Sequence, residues 1–146
     1  MIISFFGHSD FRENEEIKKR LLLILKEEAQ GENTLLFLGG YGAFDDFARR
    51  CAREHQEKEN PACTLIFVTP YLDNSKKGGA ALYDEILYPP LEQIPLRYAI
   101  SHRNRYMAER ADLVIAFVER RFGGAYQALA TARRLKKRIV NLAEEG

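Results

Sequence analysis

The chain has two cysteines in 146 residues, Cys51 and Cys63, and no CxxC pair. Two thiols cannot make a disulfide framework, and a chain of this length buries enough core to need no staple. Cys51 falls in a helical pattern and Cys63 at a strand start, so both are expected as buried reduced thiols. The three histidines, His8, His55 and His102, stand singly. No metal-ligand spacing arises from them, and no metal is expected. There is no excess of either charge: 22 Lys and Arg face 21 Asp and Glu, a formal net charge of +1. A nucleic-acid surface usually needs a basic excess, so the balance argues against a nucleic-acid partner. No apolar run approaches the ~20 residues that cross a bilayer, so no membrane association is expected. The opening MIISFFGHSDF has no basic stretch and turns polar early, unlike a signal peptide. The cytoplasm is the default location. Internal repeats and low-complexity tracts are also missing.

What is there is a regular alternation of apolar strands and amphipathic helices, one domain by the length prior and spanning residues 1–146. Ile2–Phe6 reads as the first strand, closed by Gly7. Asp10 and Glu13 form a capping-box-like pair before a helix reaching about Ala29, with Ile17, Leu21, Ile24 and Leu25 on one face. Thr34–Leu38 is the second strand, and Phe44, Phe47, Ala48, Cys51 and Ala52 mark the next helix. His55 reads as a surface residue of it. Cys63–Thr69 is the third strand. Ser101 can cap a helix carrying Arg103 to Arg110. The strand Leu113–Val118, a helix from Gly124 to about Lys136 and a last strand Arg138–Leu142 follow. Strands apolar throughout imply a parallel sheet covered on both faces. The fold class is therefore α/β, a three-layer α/β/α Rossmann-like fold. Five parallel strands in the order 3-2-1-4-5 satisfy the right-handed crossover rule.

Pro70–Tyr98 breaks the pattern. It holds four of the five prolines and Tyr71, Tyr83, Tyr88 and Tyr98. A short helix near Ala80–Glu85 and an ordered loop over the sheet edge are expected, its tyrosines either packing the loop or walling a pocket.

Three strand ends carry turn residues that fall on one rim of this sheet, at the switch point where ligands of such folds bind. They are Gly7-His8-Ser9, Gly39-Gly40-Tyr41-Gly42, and Gly123-Gly124-Ala125. Glycines let a ligand approach the backbone, and the first amides of the following helix point at it. Asp45 and Asp46 follow the second turn; acids suit a helix N-terminus by the dipole alone, and one of them could also hold a ribose hydroxyl. Arg103 and Asn104 sit just after a helix start, and a guanidinium fork suits phosphate or carboxylate. His8 and His102 read as structural hydrogen bonders.

In combination, Arg103-Asn104-x-x-Met107, Ala111-Asp112, an apolar strand and Gly123-Gly124-Ala125 resemble the SMF/DprA–LOG (SLOG) superfamily. That superfamily joins the LOG phosphoribohydrolases with the DNA-processing protein DprA. With Gly7-His8 and Gly39-Gly40-x-Gly42-x-Phe44-Asp45, the chain looks most like its small bacterial YpsA-like branch of uncharacterised proteins. The resemblance covers nearly the whole chain and implies a Rossmann-like nucleotide site. In the phosphoribohydrolases, an arginine matching Arg103 and a glutamate after the glycine turn cleave the N-glycosidic bond of a nucleoside monophosphate. Here Asn104 replaces a lysine, the turn lacks its Pro and Thr, and the glutamate positions fall near Gln127 and Ala128.

That departure moves the expectation from hydrolysis to binding. The ligand is expected to be a nucleoside phosphate, NAD or an ADP-ribose-like molecule, held by Gly7, His8, Ser9, Gly39, Gly40, Gly42, Asp45, Arg103, Asn104, Gly123, Gly124 and Ala125. The role is that of a sensor or carrier, with no cofactor required beyond the bound nucleotide. The alternatives are a phosphoribohydrolase-like enzyme, with Arg103 and Asp45 catalytic or Glu119 in place of the missing acid, and a DprA-like DNA-handling module. A homodimer is compatible with the exposed helix faces and the Tyr-rich segment, and relatives in the superfamily commonly dimerise.

Overall fold

The computed structural model of the chain describes residues 1–72 and 78–144. Its elements run β1 (Ile2–Gly7), α1 (Glu15–Glu28), β2 (Leu35–Leu38), α2 (Ala43–Lys58), β3 (Thr64–Val68), β4 (Glu85–Leu87), α3 (Ala99–Arg110), β5 (Leu113–Phe117), α4 (Gly124–Arg134) and β6 (Arg138–Asn141). The strands form one sheet in the order β4-β3-β2-β1-β5-β6, every pairing parallel. The expected order 3-2-1-4-5 survives as β3-β2-β1-β5-β6, but the sheet has six strands, not five. One core layer gathers Phe5, Leu21, Leu25, Leu36, Phe44, Phe47 and Ile115 under α1 and α2. The other gathers Phe6, Phe37, Met107, Val114, Ala116 and Leu129 under α3 and α4. Both faces are therefore covered, as continuously apolar strands require.

The additional strand is β4. It pairs Phe67 with Ile86 at the sheet edge and comes after a 3₁₀ helix over Gly78–Leu82, the short helix expected near Ala80–Glu85 but ending before Glu85, where the strand begins. Residues 73–77 of the Pro70–Tyr98 connection lie outside the described residues. Three residues, two of them exposed, give no periodic apolar signal. Side chains from neighbouring elements fix the strand instead. Asp84 Oδ2 accepts from the Leu65 amide (2.9 Å) and from Gln56 Nε2 (2.8 Å), and Oδ1 accepts from Arg53 Nη1 (2.7 Å). Among the tyrosines of this segment, Tyr83 stacks on Phe67 at 5.2 Å.

Helix starts differ from expectation in two places. Asn14, not Asp10, caps α1, its Oδ1 accepting from the Ile17 amide at 2.9 Å. Asp10 and Glu13 are drawn away by arginines distant in sequence, Arg120 and Arg50. Helix α3 begins at Ala99, after a 3₁₀ turn over Leu96–Tyr98, so Ser101 lies inside it and caps nothing. His55 is buried, not on the surface: its ring bonds to the Ala29 carbonyl at 2.8 Å, closing the end of α1. Cys51 and Cys63 are buried free thiols as expected, and burial pushes Cys51 up to about 12.

Asp84→Ala leaves the amide of buried Leu65 unpaired and detaches β4 from α2. The expected loss is about 1–3 kcal/mol by urea denaturation, the cost of an orphaned buried donor. Asp84→Asn, which still accepts from Leu65, should lose less. Equal losses for the two would mean that the Arg53 charge, not the amide bond, holds the edge.

Candidate functional site

The strand order reverses between β1 and β5, and a cleft of about 250 Å³ opens at their carboxyl ends. Of the residues expected there, Gly7, His8, Ser9, Gly39, Asp45, Arg103, Asn104, Gly123, Gly124 and Ala125 line it. Gly40 and Gly42 do not. They shape the turn behind it, at φ of 71° and 90°, with Phe67 and Ser9 where a Cβ would stand. Sequence reasoning missed Tyr41, Ile100, Arg120 and Phe122, which complete the walls.

Arg103 sits at 5% exposure on α3. Its Nη1 donates to the carbonyls of Gly39 (2.9 Å) and Val68 (2.8 Å), tying together the ends of β2 and β3. Glycine at position 39 leaves this packing undisturbed, since a Cβ would stand a tight 3.1 Å from the guanidinium carbon. Nε donates to Asn104 Oδ1 at 2.8 Å. Among the described residues, Nη2 has no partner. The bond from Nε decides how the Asn104 amide faces. Its oxygen is spent on Arg103, so its NH₂ is the end left for the cleft, and Nδ2 lies 3.9 Å from where a Gly124 side chain would begin. Burial lowers the Arg103 pKa and the Asp45 carboxylate opposes that shift, but a guanidinium remains a cation at neutral pH.

The two helix-opening turns are not equivalent. At the start of α2, the Ala43 amide donates to the Ser9 carbonyl (3.0 Å) and the Phe44 amide to the His8 carbonyl (3.4 Å). Asp45 and Asp46 add negative charge to that first turn. This N-terminus is closed by the protein itself. At the start of α4, Gly123 caps with no side chain, and the first turn holds no acid. The amides of Gly124, Ala125 and Tyr126 have no partner among the described residues. They are the free donors that every helix leaves at its start, and here those of Gly124 and Ala125 border the cleft.

Asp45 is buried, and among the described residues its carboxylate accepts one hydrogen bond, from the Tyr41 amide at 3.0 Å. Burial pushes its pKa up to about 6, against the pull of that amide and of Arg103. His8 is buried at the loop after β1, and its Nε2 accepts from the Glu119 amide at 2.9 Å and weakly from the Arg120 amide at 3.4 Å. Two donors on one nitrogen require that it carry no proton, which places the ring proton on Nδ1. Burial first and the Arg120 charge second lower its pKa, in keeping with a neutral ring. His8 thus stitches the β1 loop to the β5 loop, as its structural reading implied. Glu119 borders a neighbouring hollow with Asp10 and Phe11 and does not line the cleft. Among the described residues no three His, Cys, Asp or Glu side chains gather where a metal could sit, and no helix is long and apolar enough to cross a membrane.

The raised Asp45 pKa has a definite sign. The folded protein holds this proton more tightly than the unfolded chain does, so stability falls as pH rises from about 4 to 6 and the loss is complete above that. Asp45→Asn keeps the acceptor for Tyr41 and removes the charge. At pH 7.5 it should be more stable than the parent by up to ~3 kcal/mol, with the gain fading towards pH 4. Urea titrations of both proteins across that range check it, and a gap independent of pH would show that burial does not strain this carboxylate.

Neither a family model nor a curated protein matches the sequence. Solved structures do resemble it. The structural-genomics target TM1055 aligns with a TM-score of 0.62 at 16% identity, over 94% of this chain and 71% of that one. DprA of Streptococcus pneumoniae aligns with a TM-score of 0.61 at 18% identity, over 94% of this chain, which spans about half (48%) of that protein. The Moco carrier protein of Chlamydomonas rheinhardtii aligns with a TM-score of 0.55 at 17% identity, over 99% of this chain and 76% of that one. A DNA-processing protein with this fold leaves the expectation against nucleic acid without support, since whole-chain charge says nothing of local patches. The chain thus has the Rossmann-like fold that its resemblance to the SLOG superfamily implies, the fold also found in DprA.

Proposed function

We propose that the chain binds a nucleotide or nucleotide-derived ligand at the carboxyl ends of β1 and β5, as a sensor or carrier. The observation that carries this reading is the open start of α4. The amides of Gly124 and Ala125, without partners among the described residues, lie at the positive end of the helix dipole and line one wall of the cleft together with Asn104, whose NH₂ faces Gly124. A phosphate fits that donor set, and the second helix start, already closed by Ser9 and His8 carbonyls, does not compete for it. Arg103 adds long-range positive charge and aims Asn104.

A hydrolytic reading has one observation in its favour: Asp45 is a buried carboxylate with a pKa near neutrality, in the same cleft. Such a group suits general acid or base work. Incubation with nucleoside monophosphates and chromatography for free base tests it, and release that persists in Asp45→Asn would remove Asp45 from the mechanism. The DNA-handling reading rests on the fold shared with DprA and is tested by a gel shift with single-stranded DNA at low salt.

Gly124→Asp separates binding from folding. Gly124 is exposed and has room for a side chain, and an acid in the first turn of a helix is favourable. The variant should fold at least as stably as the parent but repel an anion. Nucleoside mono- and diphosphates, NAD and ADP-ribose are to be tested by thermal shift. At ~100 times its dissociation constant a true ligand adds ~2.7 kcal/mol to the parent, and it should add nothing to Gly124→Asp. No shift from any of them in the parent would refute the reading.

A further inference from the structure

Two aromatic side chains at the cleft are left largely in water: Tyr41 is 75% exposed and Phe122 65%. Neither is a loose end. Tyr41 stands between Gly40 and Gly42, whose positive φ angles and tight contacts with Phe67 and Ser9 fix the turn on both sides. Its amide is held by buried Asp45. Phe122 directly precedes the Gly123 turn (φ 93°), and the Arg120 guanidinium lies 5.5 Å from its ring centroid, itself anchored by two bonds to Asp10 at 2.8 and 2.9 Å. Rigid turns thus present two large apolar rings with nothing described to cover them. Exposed aromatics on preorganised backbone are how a protein offers a stacking surface at little entropic cost.

The topology places these rings on both sides of the cleft. Tyr41 follows β2 and opens α2; Phe122 follows β5 and precedes α4. The two strands flank β1, and α2 and α4 cover opposite faces of the sheet.

We infer that Tyr41 and Phe122 together hold a planar heteroaromatic ring, so that the cleft selects its ligand by the base and not only by the phosphate. This rests on the anion site at α4 and adds the ligand's other half. The base lies between the β2 and β5 turns while the phosphate meets Gly124–Tyr126. A bare sugar phosphate would then satisfy one part of the site alone.

Isothermal titration with ribose 5-phosphate and with AMP, GMP, CMP and UMP tests this in the parent, Tyr41→Ala, Phe122→Ala and Tyr41→Phe. At least one nucleotide should bind the parent about 10-fold or more tighter than ribose 5-phosphate. Each alanine variant should weaken that nucleotide about 5- to 100-fold, the effect of one lost stacking partner, and leave ribose 5-phosphate within about twofold. Tyr41→Phe, which keeps the ring, should bind like the parent. Both side chains are exposed, so the alanine variants are expected to fold. If ribose 5-phosphate binds as tightly as every nucleotide, or if the alanine variants lose no nucleotide affinity, the stacking inference is overturned while the anion site stands. If neither ribose 5-phosphate nor any nucleotide binds, the anion reading fails and this inference falls with it.

Discussion

The buried guanidinium of Arg103 is the contact on which the site depends. A charge at this depth is costly unless it is paired and hydrogen-bonded. The protein meets that cost with the carbonyls of Gly39 and Val68, the Asn104 oxygen and the field of the Asp45 carboxylate. The two carbonyls come from the ends of different strands, so satisfying one cation registers β2 and β3 against α3. The consequences run backwards into the sequence. A side chain at position 39 would crowd the guanidinium, its Cβ only 3.1 Å from the guanidinium carbon. Asp45 bears the matching strain, a carboxylate kept out of water beside a cation it does not touch through any described hydrogen bond.

From that frame follows the difference between the two glycine turns. They look alike in the sequence, each a strand end, glycines and a helix. One is filled from within, by carbonyls of the β1 loop and by its own acids; the other keeps its donors. A helix start that the protein does not cap is a place where something else can, and the charge and apolar area around it say what kind of molecule fits. In the proposed function, Gly39–Asp45 is therefore architecture, with Tyr41 as the residue it displays, and Gly123–Ala125 is the anion wall.

Much of this was legible in the sequence because its signals are local. Five strands were readable from apolar runs, their order from the crossover rule, and the rim from glycines at strand ends. Ten of the twelve expected site residues line the cleft. What escaped depends on distant partners. Strand β4 is too short for periodicity and is held by Asp84 to Leu65, Gln56 and Arg53. Asp10 looked like a helix cap but serves Arg120, which lies 110 residues away. His55 looked solvated on a charged helix but closes the end of α1. Tyr41 and Phe122 were overlooked for another reason: an aromatic beside glycine is ordinary in sequence, and only exposure at a cleft singles it out.

The central claim is that the start of α4, and not that of α2, receives the ligand's anionic group. Amide chemical shifts during titration with a nucleoside monophosphate test it most directly, on the intact chain at neutral pH. Saturable shifts are expected at Gly124, Ala125 and Tyr126, with Ala43 and Phe44 unmoved because their amides are already bonded to Ser9 and His8. Shifts concentrated at Ala43 and Phe44, or none at Gly124–Tyr126 when the ligand is bound, would contradict it.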